Sequence, residues 1–187
     1  MKKFFAVLMM MLVSAGVFAS EAAIKEVIMA YRKADAAMDI KAIDYLSDDF
    51  SGTVLGRPID RAKMKTAIEC FQVMISTDDL EIFMEKAFEM QGVKMDDNMR
   101  QQVRGLKNSE NGKKYLEQSK NQIKLILKAA AEGMKNLVFK DCSITGNTAV
   151  ISVEVLDAMS GKVAYVKYGM VKRGGKWLIR SVELTFK

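Results

Sequence analysis

The sequence contains no histidine at all. That removes the one side chain whose unperturbed charge changes between about pH 5 and 8, and with it histidine-based acid–base catalysis and most zinc sites. One proline and two cysteines occur in 187 residues. There is no CxxC or GxSxG stretch, and no serine stands three residues before a lysine. Thiol-redox, nucleophile-elbow and serine–lysine chemistries therefore lack their residues. "DCSITG", from Asp141, has the opening spacing of a calcium loop, but Ser152 stands where a bidentate glutamate belongs. Met84, Met90, Met95 and Met99 lie close together, yet too loosely for a Cu(I) site, and thioethers more often fill irregular core space or line an adaptable apolar groove. No metal and no cofactor is expected. Any catalysis would rest on carboxylates, tyrosines or lysines in a cleft.

Long apolar runs are also scarce. The only one is "FFAVLMMMLVSAGVFA", Phe4 to Ala19, preceded by Lys2-Lys3. Val17 and Ala19 are small residues at the minus-three and minus-one positions of a cleavage site before Ser20. These features predict a signal peptide over 1–19. The run falls short of the roughly 20 residues that a membrane span needs. No cysteine follows it until Cys70, so no lipid anchor is expected. The protein is expected to be exported, periplasmic or extracellular.

What remains, 20–187, is expected to form a single domain able to bury roughly 70% of the surface its unfolded chain exposes. Apolar spacing is helical up to about residue 135 and strand-like afterwards. Ile24, Val27, Ile28, Tyr31 and Ala34 share one helical face. Asp39 and Asp60 stand where they can cap the next two helices, and Asp78 with Glu81 has capping-box spacing. Gly92 can end that helix. A further short helix carries Met95, Met99, Val103 and Leu106, and a long one aligns Leu116, Ile123, Ile126, Leu127, Ala130 and Met134. Alternating runs then predict four strands, near 137–144, 149–156, 163–172 and 176–186. Gly174-Gly175 suits the primed turn of the last hairpin. Helices followed by an antiparallel meander give an α+β fold, the helices covering one sheet face.

Charge is uneven within a formal net of +6. The chain is acid-rich up to Met99 and base-rich from Arg100 to Lys140 and again from Lys162. Lys113, Lys120, Lys124, Lys128 and Lys135 fall within roughly 80° of one another at about 100° per residue. Such a stripe suits lipid headgroups, giving peripheral membrane contact, or another anion; equally, its stems cover apolar neighbours. No aromatic platform accompanies it, so nucleic acid is not expected. Cys70 and Cys142 are either a disulfide, which an oxidising compartment permits, or two thiols packed as small apolar groups.

"YRKADAAMDIKAIDYLSDDF" resembles the first two helices and the acidic pair of nuclear-transport-factor-two-like domains, the cystatin-like cone fold. "GNTAVISVEVLDAMSGKVAYVKYGMVKRGGKWLIRSVEL" resembles their C-terminal strands. The likeness covers 21–55 and 137–186, and 76–135 departs from it as a helical elaboration. The resemblance implies a curved sheet wrapped around helices with an apolar cone between them. Some members are ketosteroid isomerases or dehydratases. Tyr31 falls where those enzymes keep a hydrogen-bonding tyrosine, but their catalytic aspartate would fall at Val54, and a valine abstracts no proton. Open sheets of this kind often pair face to face, which makes a homodimer a candidate assembly.

The expected function is a non-enzymatic exported domain that binds a small apolar or amphipathic molecule, or an envelope protein, in the cone. Tyr31, Asp35, Phe71, Tyr165, Tyr168 and Trp177 are its candidate lining, with Arg180 as an anion anchor. One alternative is an enzyme on the same scaffold, using Asp35 and Tyr31. The other is an envelope interaction protein whose helical elaboration fills the cone.

Overall fold

A computed structural model describes residues 20–54, 56–156 and 161–186. The expected signal peptide lies outside the described residues, as do 157–160 of the turn after the second meander strand.

Helix α1 (20–36) buries Ile24, Ile28 and Tyr31, three and four residues apart as one apolar face requires. The turn after it holds Met38, the one non-glycine residue with positive φ among the described residues. Asp39 then caps a 3-10 helix, Ile40–Tyr45, by accepting from Lys41 N at 3.0 Å. Strands β1 (Leu46–Val54) and β2 (Arg57–Asp60) follow, then α2 (Arg61–Ser76), α3 (Leu80–Met90), α4 (Asp97–Lys107) and α5 (Glu110–Gly133). A 3-10 turn, Met134–Asn136, leads into β3 (Leu137–Thr145), β4 (Thr148–Leu156), β5 (Val163–Arg173) and β6 (Lys176–Phe186).

Side-chain caps set the helix starts. Asp60 accepts from Lys63 N at 2.7 Å, Asp96 from Met99 N at 2.8 Å, and Ser109 Oγ from Gly112 N at 3.0 Å. The α3 cap corrects the expectation by one residue. Asp79 accepts from Glu81 N at 2.8 Å, while Asp78 is turned toward Lys120. Thr77 Oγ1 accepts from Asp79 N at 3.1 Å and holds the second aspartate in the cap position. Gly92, at φ +74, closes the end of α3.

The sheet has six strands in the order β2-β1-β6-β5-β4-β3, not about four. The four-strand antiparallel meander is present as expected, and β1 extends it by pairing parallel to β6. Strand β2, "RPID", folds back antiparallel on β1. It is too short to alternate, and it holds the only proline, a residue at home on an edge strand. Gly174 and Gly175 both take positive φ at the β5–β6 turn, which the twist of that hairpin demands. A bulge sits in β6: Gly169 faces Ser181 and Met170 faces Ile179, so Arg180 is the extra residue. Bulges bend a strand and sharpen its twist.

Two separate cores result. The first lies between α1, the 3-10 helix and the inner sheet face. Ile24, Ile28, Ile151 and Ile179 have no exposed surface there, and burying each contributes roughly 2 kcal/mol. The second lies among α2–α5, around Met74, Leu80, Phe83, Met95, Val103, Leu116 and Ile123. In the stripe expected on α5, Leu116 and Ile123 are buried, but Ile126 is 40% exposed. It lies about 80° from Leu116 at the helical repeat, off the edge of the buried face.

Candidate functional site

The cone is the first place to look, and it is full. Tyr168 is 1% exposed, and Tyr31 and Trp177 are 5% exposed, packed with isoleucines from α1, β4 and β6. On β5 the buried residues are Ala164, Val166, Tyr168 and Met170, the even positions of a period-two strand. Three of the sequence-derived lining residues, Tyr31, Tyr168 and Trp177, thus meet in one core.

Asp35 lies one helical turn beyond Tyr31, and Arg32 accompanies it. Burial raises the Asp35 carboxyl above the usual aspartate range, against the pull of the Arg32 guanidinium. Burial also pushes the Tyr31 hydroxyl well up, with Asp35 and then Tyr168 adding to it and Arg32 opposing. Burial raises Tyr168 as well; Arg32 works against the shift and Asp35 with it. Two tyrosines, a carboxyl and a guanidinium therefore share one electrostatic neighbourhood beside the cone. Arg32 was not singled out from sequence, although its place three residues before Asp35 was a usable sign. Val54, where the resemblance would put a catalytic base, packs against the same core as plain apolar filling.

The remaining candidates do not join this group. Tyr165 is three residues from Tyr168, so it points to the opposite face of β5. There it is half-buried beside Lys140, Glu154, Lys167 and Thr185, in a hollow of about 250 Å³ on the outer sheet surface. Phe71 is half-buried against the second core. Arg180 is exposed on its bulge, and its Nε lies 3.2 Å from Asp49, which Arg173 also holds at 2.9 Å. It pairs with an acid outside the cone, so it is not the anion anchor expected inside. The two cysteines are free thiols with different neighbours. Cys70 is buried on α2 near Glu89, Lys86 and Glu69, whereas Cys142 on β3 faces Glu21 and Lys25 of α1. Burial raises both thiols.

Of the lysine stripe, Lys120 is tied down by Asp78 at 2.7 Å and the Thr77 carbonyl at 3.0 Å. Lys113, Lys124, Lys128 and Lys135 are exposed.

A second hollow was not foreseen as a site. It is an apolar groove of about 430 Å³ between α3, α4 and α5, lined by Leu80, Met84, Val103, Leu106, Gly112 and Tyr115. Leu106 is 52% and Tyr115 50% exposed on its walls. Gly112 forms the floor because a Cβ there would stand 2.1 Å from the Leu106 carbonyl oxygen. The methionine cluster was the sequence signal, since Met84 lines the groove and Met95 lies in the core beneath the elaboration. Ion pairs rim it. Arg104 grips Glu81 with both Nε and Nη2, at 2.8–3.1 Å; Arg100 reaches Glu85 at 2.6 Å, and Lys107 pairs with Asp79. These partners hold Glu81, Glu85 and Asp79 below the usual carboxylate range.

No protein-family model matches the chain, and no curated protein matches it by sequence. Solved structures do. A nuclear-transport-factor-two-like protein with a cystatin-like fold from Novosphingobium aromaticivorans superposes with a TM-score of 0.50 at 10% identity, over 94% of this chain and 87% of that one. Similar proteins of unknown function come from Silicibacter pomeroyi (TM-score 0.45, 11% identity, 91% and 98% covered) and Shewanella baltica (0.45, 12%, 91% and 95%). At such identities the likeness speaks for architecture alone. The chain has the nuclear-transport-factor-two-like, cystatin-like fold: helices laid on a curved, open mixed sheet.

Proposed function

We propose that this is an exported, non-enzymatic binding domain, and that it holds a small apolar or amphipathic molecule in the groove of its helical elaboration, not in the cone. The contrast between the two hollows carries the reading. The cone is occupied by the protein's own side chains. The groove of about 430 Å³ is open, almost wholly apolar, and within the roughly 300–1,000 Å³ typical of small-molecule sites. A docked helix would need anchors along a longer trough. Met84 lets the wall adapt to the ligand's shape. The leader-like residues from Lys2 to Ala19 support export.

Native mass spectrometry of protein purified from its own envelope tests this. The expected spectrum shows a retained small molecule that organic extraction strips. Leu106→Arg, which puts a cation on the apolar wall, should cut retention about tenfold, equivalent to about 1.4 kcal/mol. A bare chain mass, or retention indifferent to Leu106→Arg, defeats the proposal.

One observation favours a second reading, an enzyme built on Asp35. A carboxyl raised by burial beside two tyrosine hydroxyls is how proton-transferring groups are often arranged. Against it stands the close packing of Tyr31 and Tyr168, which leaves the substrate no evident place beside them.

A further inference from the structure

Helix α5, the longest helix described, has three sides. Its charged residues between 111 and 130 are Lys113, Lys114, Glu117, Lys120, Lys124 and Lys128. At about 100° per residue they all fall within an arc of about 120°. Gly112, Leu116 and Ile123 mark a second, buried side, and α5 packs on α2, α3 and α4. The third side lies between these two and carries no charge, yet it is open. Tyr115, Gln118, Gln122, Leu125 and Ile126 are all exposed there. Tyr115 keeps 50% of its surface, Ile126 40% and Leu125 64%, the highest value among the large apolar residues described. Contact with water alone does not account for this side. The helix has ample charge for a solvated face, but that charge is confined to about one-third of its circumference. An exposed helical strip of apolar and uncharged polar residues has the composition of a surface that another chain covers.

The strip is complementary to itself when reversed. Tyr115, Gln118, Gln122 and Leu125 follow one another at spacings of three and four, the repeat of a helix-to-helix seam. In one antiparallel register Tyr115 meets Leu125 of a second copy, Gln118 meets its Gln122, and Asn111 meets its Ala129. A two-fold axis makes each of these contacts twice. Glutamine amides both donate and accept, so a facing pair can satisfy each other as water leaves. Charge favours the same arrangement. Glu110 and Lys114 near one end of α5, and Lys128 and Glu132 near the other, lie within about 40° of one another on one edge of the strip. None of the four is in an ion pair among the described residues. Reversal sets an acid-then-lysine end against a lysine-then-acid end, bringing each lysine within about a turn of an acid on the copy. An unrelated protein would require no such symmetry. We infer that the chain forms a two-fold dimer through the uncharged side of α5, with the two helices antiparallel. The contact does not use the outer face of the sheet, and it goes beyond the groove reading without resting on it.

Sedimentation velocity over a dilution series tests the inference, on the chain as it accumulates in the producing cell. The expected result is a reversible dimer. One helix pair is at the small end of specific interfaces, so dimer should give way to monomer at roughly micromolar concentration. Leu125→Lys sets a cation against Tyr115 of the copy and should raise the dissociation constant at least about tenfold. Lys124→Glu changes more charge, but on the side away from the strip, and should leave the constant within about twofold. Both positions are exposed, and unchanged circular dichroism and unfolding midpoints confirm that the variants fold. A short thiol cross-linker reads the direction of pairing, against the parent chain, which keeps Cys70 and Cys142. A mixture of Gln118→Cys and Gln122→Cys chains should cross-link better than either alone. A monomer at every concentration overturns the inference. So does a dimer that Leu125→Lys leaves intact, or one that Val150→Lys on the outer sheet face breaks instead. Equal weakening by Lys124→Glu, or cross-linking that shows no preference for the mixture, also overturns it. The groove proposal is read by Leu106→Arg and a retained small molecule, so either idea can fail alone.

Discussion

The two cores differ in how they are held. The cone side is closed by strand pairing and by residues with no exposed surface at all. In the helical elaboration the buried residues keep 3–9% of their surface, and surface ion pairs join its helices. One region is therefore a rigid platform, and the other an adaptable cap with an open groove. The difference teaches where binding is cheapest to build: in the part that tolerates movement.

The largest expected effect tests the platform. Ile151→Ala on the cone side should cost about 4 kcal/mol, because pleated neighbours cannot collapse into the void. Leu116→Ala in the elaboration should cost about 2 kcal/mol, since Met74, Met84 and Met95 can partly refill the space. Denaturant unfolding of both variants measures the gap; equal losses would erase the distinction.

Acid should separate the regions by sign. Asp78, Asp79, Glu81 and Glu85 are held below the usual carboxylate range by Lys120, Lys107, Arg104 and Arg100. Groups lowered in the fold stabilise it above their unfolded pKa, and that support is lost as pH falls through the folded pKa. Asp35 is raised. Its contribution is fully present below its unfolded pKa and is lost as pH rises through its folded one. Amide exchange from neutral pH down to about pH 2 should show α3–α5 losing protection before β4–β6, while the single tryptophan, Trp177, reports an intact cone. Asp35→Asn should flatten the neutral-pH arm and leave the variant more stable than its parent there. Parallel loss of protection in both regions would refute the contrast.

The smallest effect concerns a single pair between α4 and α3. Arg104→Ala removes the fork on Glu81, but Arg104 is 64% exposed, and water already screens such pairs. The unfolding midpoint should move at the edge of detection, and not at all in high salt.

Much of this was legible in the residues. The 3.6 and 2 periodicities placed α1, α5 and the meander, and aspartates at helix starts located most caps. Tyr165 was separable from Tyr168 on spacing alone, since positions three apart on a strand face opposite ways. The six-strand order was not legible, because β1 joins β6 across more than a hundred residues and β2 is too short to show a pattern.

The sequence by itself determined local structure and composition: an α+β chain without histidine, with amphipathic helices, glycine-built turns and an uneven charge. Those depend on neighbours within a few residues. Only the tertiary structure decided that Arg180 pairs with Asp49 outside the cone, that the two cysteines face different helices, and that an open apolar groove lies among α3, α4 and α5. Each of these depends on how distant elements pack against one another, and a side chain's neighbours across the fold are not encoded in its neighbours along the chain.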